Sequence, residues 1–187
     1  FTNKICVIPS LLRKEFYTTA INTINGKEIN LLIIGGSQGA KFFDNIIKDT
    51  IIELSKKYKL KVFHQTSLVN NDFLKNIYFN NNIENELFDF NEDISSFMRK
   101  SNVCITRAGA STLAELIFLN IPHIAIPLPS AKDNHQFENA KFYEQLGCNW
   151  VLNQQEINQT ILIDKLINII ENKEEYSDKI RNMKNFN

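Results

Sequence analysis

Several features that would narrow the function of a protein are scarce in this sequence of 187 residues. Its three cysteines, Cys6, Cys104 and Cys148, are odd in number and far apart, which does not favour a disulfide framework or a zinc site. We expect reduced thiols, mostly in the core of a cytosolic protein. No apolar run approaches the roughly 18 to 20 residues that span a membrane, and the N-terminus does not resemble a signal peptide.

The sequence also carries no formal net charge at neutral pH. Lysine plus arginine number 21 and aspartate plus glutamate number 21, so no strong positive field favours nucleic acid or an anionic membrane as a partner. Partners must therefore be inferred from local sites. Because 43% of the residues are hydrophobic, the chain can bury a large core. It begins at Phe1 rather than methionine, and we expect a piece of a longer protein.

What the sequence does contain is an alternation of predicted strands and helices. Strands are expected at Ile5–Ile8, Ile29–Ile34, Leu60–Gln65, Ile83–Phe88, Asn102–Thr106, His123–Ile126 and Asn149–Leu152. Helices are expected over Leu11–Ala20, Gly39–Lys57, Leu68–Ile77, Glu92–Lys100, Ser111–Leu119, His135–Leu146, Ile157–Ile170 and Glu174–Met183. This order predicts an α/β fold, with a mostly parallel sheet and helices on both of its faces.

The first motif is the stretch from Gly35 to Ala40, where an apolar strand runs directly into a glycine-rich turn and a helix. Open backbone N–H groups and the helix dipole at such a turn suit a phosphate or diphosphate. An ordinary connection, with glycines for backbone geometry alone, remains the alternative.

Three common site types do not fit this turn. The glycines lack the Gly-x-Gly-x-x-Gly spacing, and the next strand ends in His64-Gln65 without an acid, so NAD is not expected. A P-loop is excluded because no Gly-Lys-Ser or Gly-Lys-Thr follows. Ser37 lacks the spacing of a hydrolase elbow, and it is better suited to donate a hydrogen bond to a phosphate than to act as a nucleophile.

No metal site is found in the sequence, since the histidines lack partners at ligand spacing. His123 is expected to be structural, and the role of His64 is left open.

The second motif runs from Arg107 to Glu115. Thr112 and Glu115 have the spacing of a capping box, in which Glu115 would reach back to the helix start. Alternatively, Glu115 accepts hydrogen bonds from a ribose, while the N–H groups of Gly109 to Thr112 meet a diphosphate.

The third motif, from Pro127 to Ala140, packs many hydrogen-bonding side chains between two prolines and a helix. Its amide and carboxylate groups suit the hydroxyls of a sugar. A solvated loop with Asp133 or Asn134 as N-cap is the alternative.

Together, these three motifs resemble the MurG family of bacterial N-acetylglucosaminyltransferases, in glycosyltransferase family 28. Order and spacing match from about Ile29 to Leu152, and the final helices match more loosely. The resemblance implies the C-terminal half of a GT-B enzyme, which has two Rossmann-like domains. Residues 1–28 would then be the interdomain connection with a first strand and helix, and residues 29–187 the UDP-sugar donor domain, without the N-terminal acceptor domain.

The resemblance also implies a function. The parent enzyme would move N-acetylglucosamine from UDP-N-acetylglucosamine to lipid I and form lipid II in peptidoglycan synthesis. Neither a metal nor a cofactor is expected, and no nucleic acid. The general base, the lipid I site and a peripheral contact with the inner face of the cell membrane would belong to the missing half, so this cytoplasmic chain would bind the donor without turnover.

Site residues follow from the same resemblance. Ser37 and the backbone from Gly36 to Gln38 would contact the diphosphate, supported by the turn of Gly109, Ala110, Ser111 and Thr112. Glu115 would take the ribose hydroxyls. The sugar would be read by Gln136 and Asn139, with His135 or Asp133, and uracil by backbone near Asn91. Arg13 matches a family arginine, but its flanking residues differ from the family pattern.

Other functions stay open at this stage. The chain could be a separate, non-catalytic donor-binding subunit of a two-chain transferase. It could also belong to another GT-B enzyme, with a different acceptor or with epimerase activity, although catalytic acids and a histidine for epimerisation are not apparent. A purely structural α/β module would leave three polar loops on one sheet edge unexplained.

Overall fold

A computed structural model describes residues 12–16, 28–89 and 93–184, with residues 37–41, 183 and 184 described by their backbone alone. The strands are β1 (Ile29–Ile34), β2 (Leu60–Gln65), β3 (Glu84–Phe88), β4 (Val103–Thr106), β5 (His123–Ala125) and β6 (Asn149–Val151). The helices are α1 (Gly36–Ser55), α2 (Leu68–Asn80), α3 (Ile94–Arg99), α4 (Ala110–Phe118), α5 (His135–Gln145), α6 (Gln159–Glu171) and α7 (Lys173–Lys184). Short 3-10 turns lie at Lys14–Phe16 and Lys132–Asn134.

The strands form one six-stranded sheet in the order β3-β2-β1-β4-β5-β6, and all of its pairs are parallel. From β1 the chain builds outward to β3, and it then returns to the other side of β1 as β4. The direction of growth therefore reverses between β1 and β4, where Ile34 pairs with Thr106. Since the strands are parallel, their carboxyl ends share one edge of the sheet.

Helices cover both faces of the sheet, as the sequence predicts. Leu31 and Ile33 of β1 belong to a core that includes residues of α1, α2 and α6. Leu32 and Ile34 point to the other face, where the core includes Phe16 and residues of α3 and α4. Burial on both faces explains why β1 is a continuous apolar run rather than an alternating one. Among the described residues, none of the helices is long and apolar enough to cross a membrane.

Most predicted elements are confirmed, and β1 and β2 have the predicted bounds. The main correction concerns α1, which begins at Gly36 instead of Gly39. The glycine-rich stretch is thus the first helical turn, and only Gly35 connects it to β1. Gly36 has a φ of 64°, a left-handed conformation that side chains disfavour.

The first predicted elements fall mainly on residues that the structure leaves undescribed. The strand Ile5–Ile8 lies outside the described residues. Of the predicted helix Leu11–Ala20, only residues 12–16 are described, and they contain the short turn Lys14–Phe16.

Packing of α1 against the sheet should dominate the stability of the fold. Ile47 is fully buried in this interface, so Ile47→Ala should lower the free energy of unfolding by about 2 to 5 kcal/mol. Urea denaturation measures it, with the exposed Asn45→Ala on the same helix as the matched control. Equal effects of the two substitutions would contradict the described orientation of α1.

Candidate functional site

Two helix N-termini lie side by side at the carboxyl edge of the sheet. Helix α1 follows β1 and helix α4 follows β4, and these two strands are neighbours. The N–H of Arg107 donates to Ile34 O at 3.1 Å, which holds the two connections together. Open parallel sheets form a ligand crevice where the strand order reverses, and both helices begin at that point.

Neither helix start is capped by a side chain. The N-cap residues are Gly35 for α1 and Gly109 for α4, and no side-chain cap is formed at either. N–H groups in a first helical turn have no acceptor within the helix, and the dipole places partial positive charge there. One of these groups is already engaged, because Gly36 N–H donates to Gln65 Oε1 at 2.8 Å. The remaining first-turn groups are suited to an anion.

The predicted capping box at α4 is wrong. Thr112 does not begin the helix, because α4 starts at Ala110 with Gly109 as its N-cap. Glu115 lies in the second turn and is 1% exposed. Its carboxylate is therefore not used to satisfy the helix start.

Glu115 instead forms a two-pronged ion pair with Arg13. Arg13 Nε donates to Oε1 at 2.6 Å and Nη2 donates to Oε2 at 2.8 Å. The hydrogen bond to Glu115 raises the pKa of Arg13 above its ordinary value. The guanidinium also lies 5.3 Å from the ring centre of Phe16, which is fully buried. Residues 12–16 are thus fixed to α4, although they precede β1 in the chain.

A second arginine, Arg107, places buried positive charge beneath the crevice. Its Nη1 donates to Ile126 O at 3.0 Å and Pro127 O at 3.3 Å, and its guanidinium lies 4.8 Å from the ring centre of Phe43. Burial lowers the pKa of Arg107 to about 10, so it remains a cation at neutral pH. No described residue forms a hydrogen bond with its Nε. No role for Arg107 was inferred from the sequence. The feature that could have suggested one is an arginine at the end of a buried strand, without a nearby acidic residue.

Amide side chains hold the third loop together and tie it to the second loop. Gln136 Oε1 accepts from Leu128 N–H at 3.0 Å, and Asn139 Nδ2 donates to Ala108 O at 3.2 Å. Both side chains are partly exposed, so each can still offer its other amide atom to a ligand.

The start of α5 does not follow the predicted capping. Asn134 is its N-cap residue, but with a φ of 55° it forms no side-chain cap. Asp133 also has a positive φ, and its side chain is exposed. His135 is exposed, with Nδ1 at 2.6 Å from Lys132 O.

The structure thus brings most of the predicted site residues to one edge of the sheet. Gly36, Gly109, Ala110, Ser111, Thr112, Gln136 and Asn139 belong to the three neighbouring connections, and Arg13 contacts Glu115 directly. Asn91 lies outside the described residues, as do the side chains of Ser37 and Gln38. Within the described part of the chain, no cluster of His, Cys, Asp or Glu could hold a metal ion.

Comparison with known proteins identifies the family. A family model for the glycosyltransferase family 28 C-terminal domain matches residues 30–187. The chain belongs to this family. The match confirms the resemblance inferred from the three motifs, and glycosyltransferase family 28 is therefore the context for the site.

Individual relatives agree with this assignment. The chain is 61% identical over its whole length to a Pelagibacter ubique protein named UDP-N-acetylglucosamine--N-acetylmuramyl-(pentapeptide) pyrophosphoryl-undecaprenol N-acetylglucosamine transferase, and covers 52% of it. A Rickettsia bellii protein of the same name is 37% identical over 91% of the chain, which covers 50% of that protein. The crystal structure of Acinetobacter baumannii MurG superimposes with a TM-score of 0.73 at 28% identity, over 84% of this chain and 46% of that one. The chain thus spans about half the length of the curated relatives it matches.

The pair of Arg13 and Glu115 should be measurably coupled. Because Glu115 is buried and the contact is two-pronged, a double-mutant cycle with Arg13→Gln and Glu115→Gln should give about 1 to 2 kcal/mol of coupling in urea denaturation. The exposed pair Arg181 and Asp178, 2.8 Å apart, is the matched control and should show no measurable coupling. Absence of coupling between Arg13 and Glu115 would show that residues 12–16 are not fixed to α4 in solution.

Proposed function

We propose that this chain is the donor-binding half of a bacterial transferase that moves N-acetylglucosamine from UDP-N-acetylglucosamine to lipid I, forming lipid II. One observation carries the proposal. Two uncapped helix N-termini meet where the strand order reverses, in a chain of glycosyltransferase family 28. Such a crevice suits a nucleoside diphosphate, because both helix starts attract the same anion.

Each part of the donor has a matching group. First-turn N–H groups of α1 and of Ala110 to Thr112 face the diphosphate, with Ser37 as a further donor. The buried cation Arg107 adds favourable charge beneath them. Gln136 and Asn139, with His135 or Asp133, bind hydroxyls of the sugar, and the backbone near Asn91 binds uracil.

Glu115 is assigned to the ribose. Each carboxylate oxygen accepts two hydrogen bonds, so Glu115 can bind ribose hydroxyls. Its 1% exposure means that a covering group has to move first. Arg13, which is 38% exposed and contacts the carboxylate, is suited to that movement.

The chemistry follows from stabilisation of the leaving group. An acceptor hydroxyl attacks the anomeric carbon with inversion, the new C–O bond forms, and the bond from that carbon to the diphosphate oxygen breaks. UDP departs with the electron pair, and the hydroxyl proton passes to a base. Negative charge grows on the diphosphate in the transition state, so fixed N–H groups and helix dipoles accelerate the step without a metal ion.

The remaining functions are assigned to the rest of the parent protein. Residues 29–187 form the donor domain and residues 1–28 the connection to it. The base, the lipid I site and a peripheral contact with the cytoplasmic face of the membrane belong to the other half. The chain alone is therefore expected to bind the donor without turnover.

Donor binding can be tested at the ribose. The chain should bind UDP and UDP-N-acetylglucosamine in calorimetry, and it should bind 2′-deoxy-UDP about tenfold more weakly, because one hydrogen bond to a charged acceptor is lost. In Glu115→Gln, this preference for the ribose should shrink to about threefold or less.

The exposed carboxylate Glu138 on α5 provides the matched control. Glu138→Gln should bind UDP and 2′-deoxy-UDP like the unmodified chain. No binding of UDP at millimolar concentration would rule out the donor site. An unchanged preference in Glu115→Gln would remove the ribose assignment alone.

A further inference from the structure

A buried polar cluster joins α1 to β2 and α2, about two helical turns after the start of α1. Asp44 of α1, His64 of β2 and Tyr78 of α2 are each at most 1% exposed. His64 Nδ1 lies 2.9 Å from Tyr78 Oη, and His64 Nε2 lies 3.3 Å from Asp44 Oδ1. Asp44 Oδ2 accepts from Thr66 Oγ1 at 3.0 Å and from Asn70 Nδ2 at 2.7 Å. Three elements of the fold thus converge on one carboxylate.

The protonation states of these groups bear on which atoms donate and which accept the hydrogen bonds of the cluster. Burial raises the pKa of Tyr78, so its hydroxyl keeps its proton. Burial alone would raise the pKa of Asp44 as well, but hydrogen bonds from His64 and Asn70 outweigh it and hold this pKa below its ordinary value. We assign the Tyr78 O–H as the donor to Nδ1 of His64, and with this tautomer the Nε2–H lies on the side of Asp44, 3.3 Å from its Oδ1.

The same strand end also fixes the beginning of α1. Gln65, next to His64, accepts the N–H of Gly36 at 2.8 Å. Helix α1 is therefore attached to the carboxyl end of β2 at two points, Gly36 and Asp44, about two helical turns apart. Any shift of the first turn along or across the sheet would break directional contacts at both points.

Stability alone does not account for this arrangement. Apolar side chains of the same volume would generally stabilise a core at least as well as a buried carboxylate with its partners. What the hydrogen bonds of this cluster add is direction, because those of Asp44 with Thr66 and Asn70, and of His64 with Tyr78, tolerate little displacement. The part of the site that gains from this is the first turn of α1.

We propose that Asp44, His64 and Tyr78 are positioning residues, which set the first turn of α1 where its N–H groups meet the diphosphate of the donor. They act through the helix and do not touch the ligand. The inference rests on the proposed function of the site, which it deepens by assigning phosphate placement to a cluster outside the crevice.

The decisive comparison uses two replacements of His64. Asparagine retains a polar atom near the position of Nδ1 and loses the contact with Asp44. Glutamine reaches the position of Nε2 and can still donate to Asp44. His64→Asn should therefore bind UDP about tenfold more weakly, whereas His64→Gln should stay within about threefold of the unmodified chain.

Uridine separates positioning from general damage. It lacks the diphosphate, so its affinity, followed by ligand-detected NMR, should change less than about twofold in His64→Asn. His123 is the matched control, because it is also a fully buried strand histidine, with Nδ1 at 2.9 Å from Ile121 O. It begins β5 and therefore lies at the edge formed by the amino ends of the strands. His123→Asn should leave the affinities for UDP and uridine unchanged.

Each outcome supports or overturns the inference. If UDP binds the unmodified chain and His64→Asn equally well, the positioning role is wrong and the donor site stands. If His64→Asn weakens UDP and uridine equally, the cluster is merely structural. If the unmodified chain does not bind UDP, the proposed function fails and the inference with it. Should His64→Asn not fold, Tyr78→Phe replaces it, and loss of UDP affinity with uridine binding retained is again the expected result.

Discussion

The structure depends on the parallel pairing of β1 with β4. This pair joins the two directions in which the sheet grows, and it brings the starts of α1 and α4 to one point on the carboxyl edge. The backbone contact from Arg107 to Ile34 fixes their separation. Everything assigned to the site follows from that geometry, because neither helix start alone distinguishes a ligand site from an ordinary connection. Two adjacent starts without side-chain caps form a place for one shared anion.

Buried charges around this point are held in different ways. Glu115 is paired with a cation from a distant part of the chain, whereas Asp44 accepts hydrogen bonds from Thr66 and Asn70. Arg107 is held by carbonyl oxygens and aromatic rings. Isolated buried charges are strongly unfavourable, so each of these arrangements restricts where its helix or loop can lie. Polar contacts therefore constrain the edge of the sheet that is suited to ligand binding.

Much of the fold could be predicted from local patterns. The mostly apolar run of β1 gave the bounds of that strand, because both of its faces are buried. The start of α1 was missed by three residues, since glycine favours turns locally while helix packing overrides that preference here. The capping box at Thr112 was wrong for a related reason: its spacing is local, but the partner of Glu115 lies 102 residues away. Contacts of that kind, like those of His64, depend on topology that a single stretch of sequence does not contain.

The docking of Phe16 bears on where this domain physically begins. The family model matches from residue 30, yet Phe16 belongs to the same core cluster as Leu32 and Phe97, and its ring centre lies 5.3 Å from the guanidinium of Arg13 and 5.5 Å from that of Arg99. A protein trimmed to the matched residues would expose an apolar depression on the α3–α4 face and leave the Glu115 carboxylate without its cation. The stretch matched by the family model and the packed domain therefore differ by at least residues 12–16, and a protein made for ligand-binding measurements needs the longer of the two.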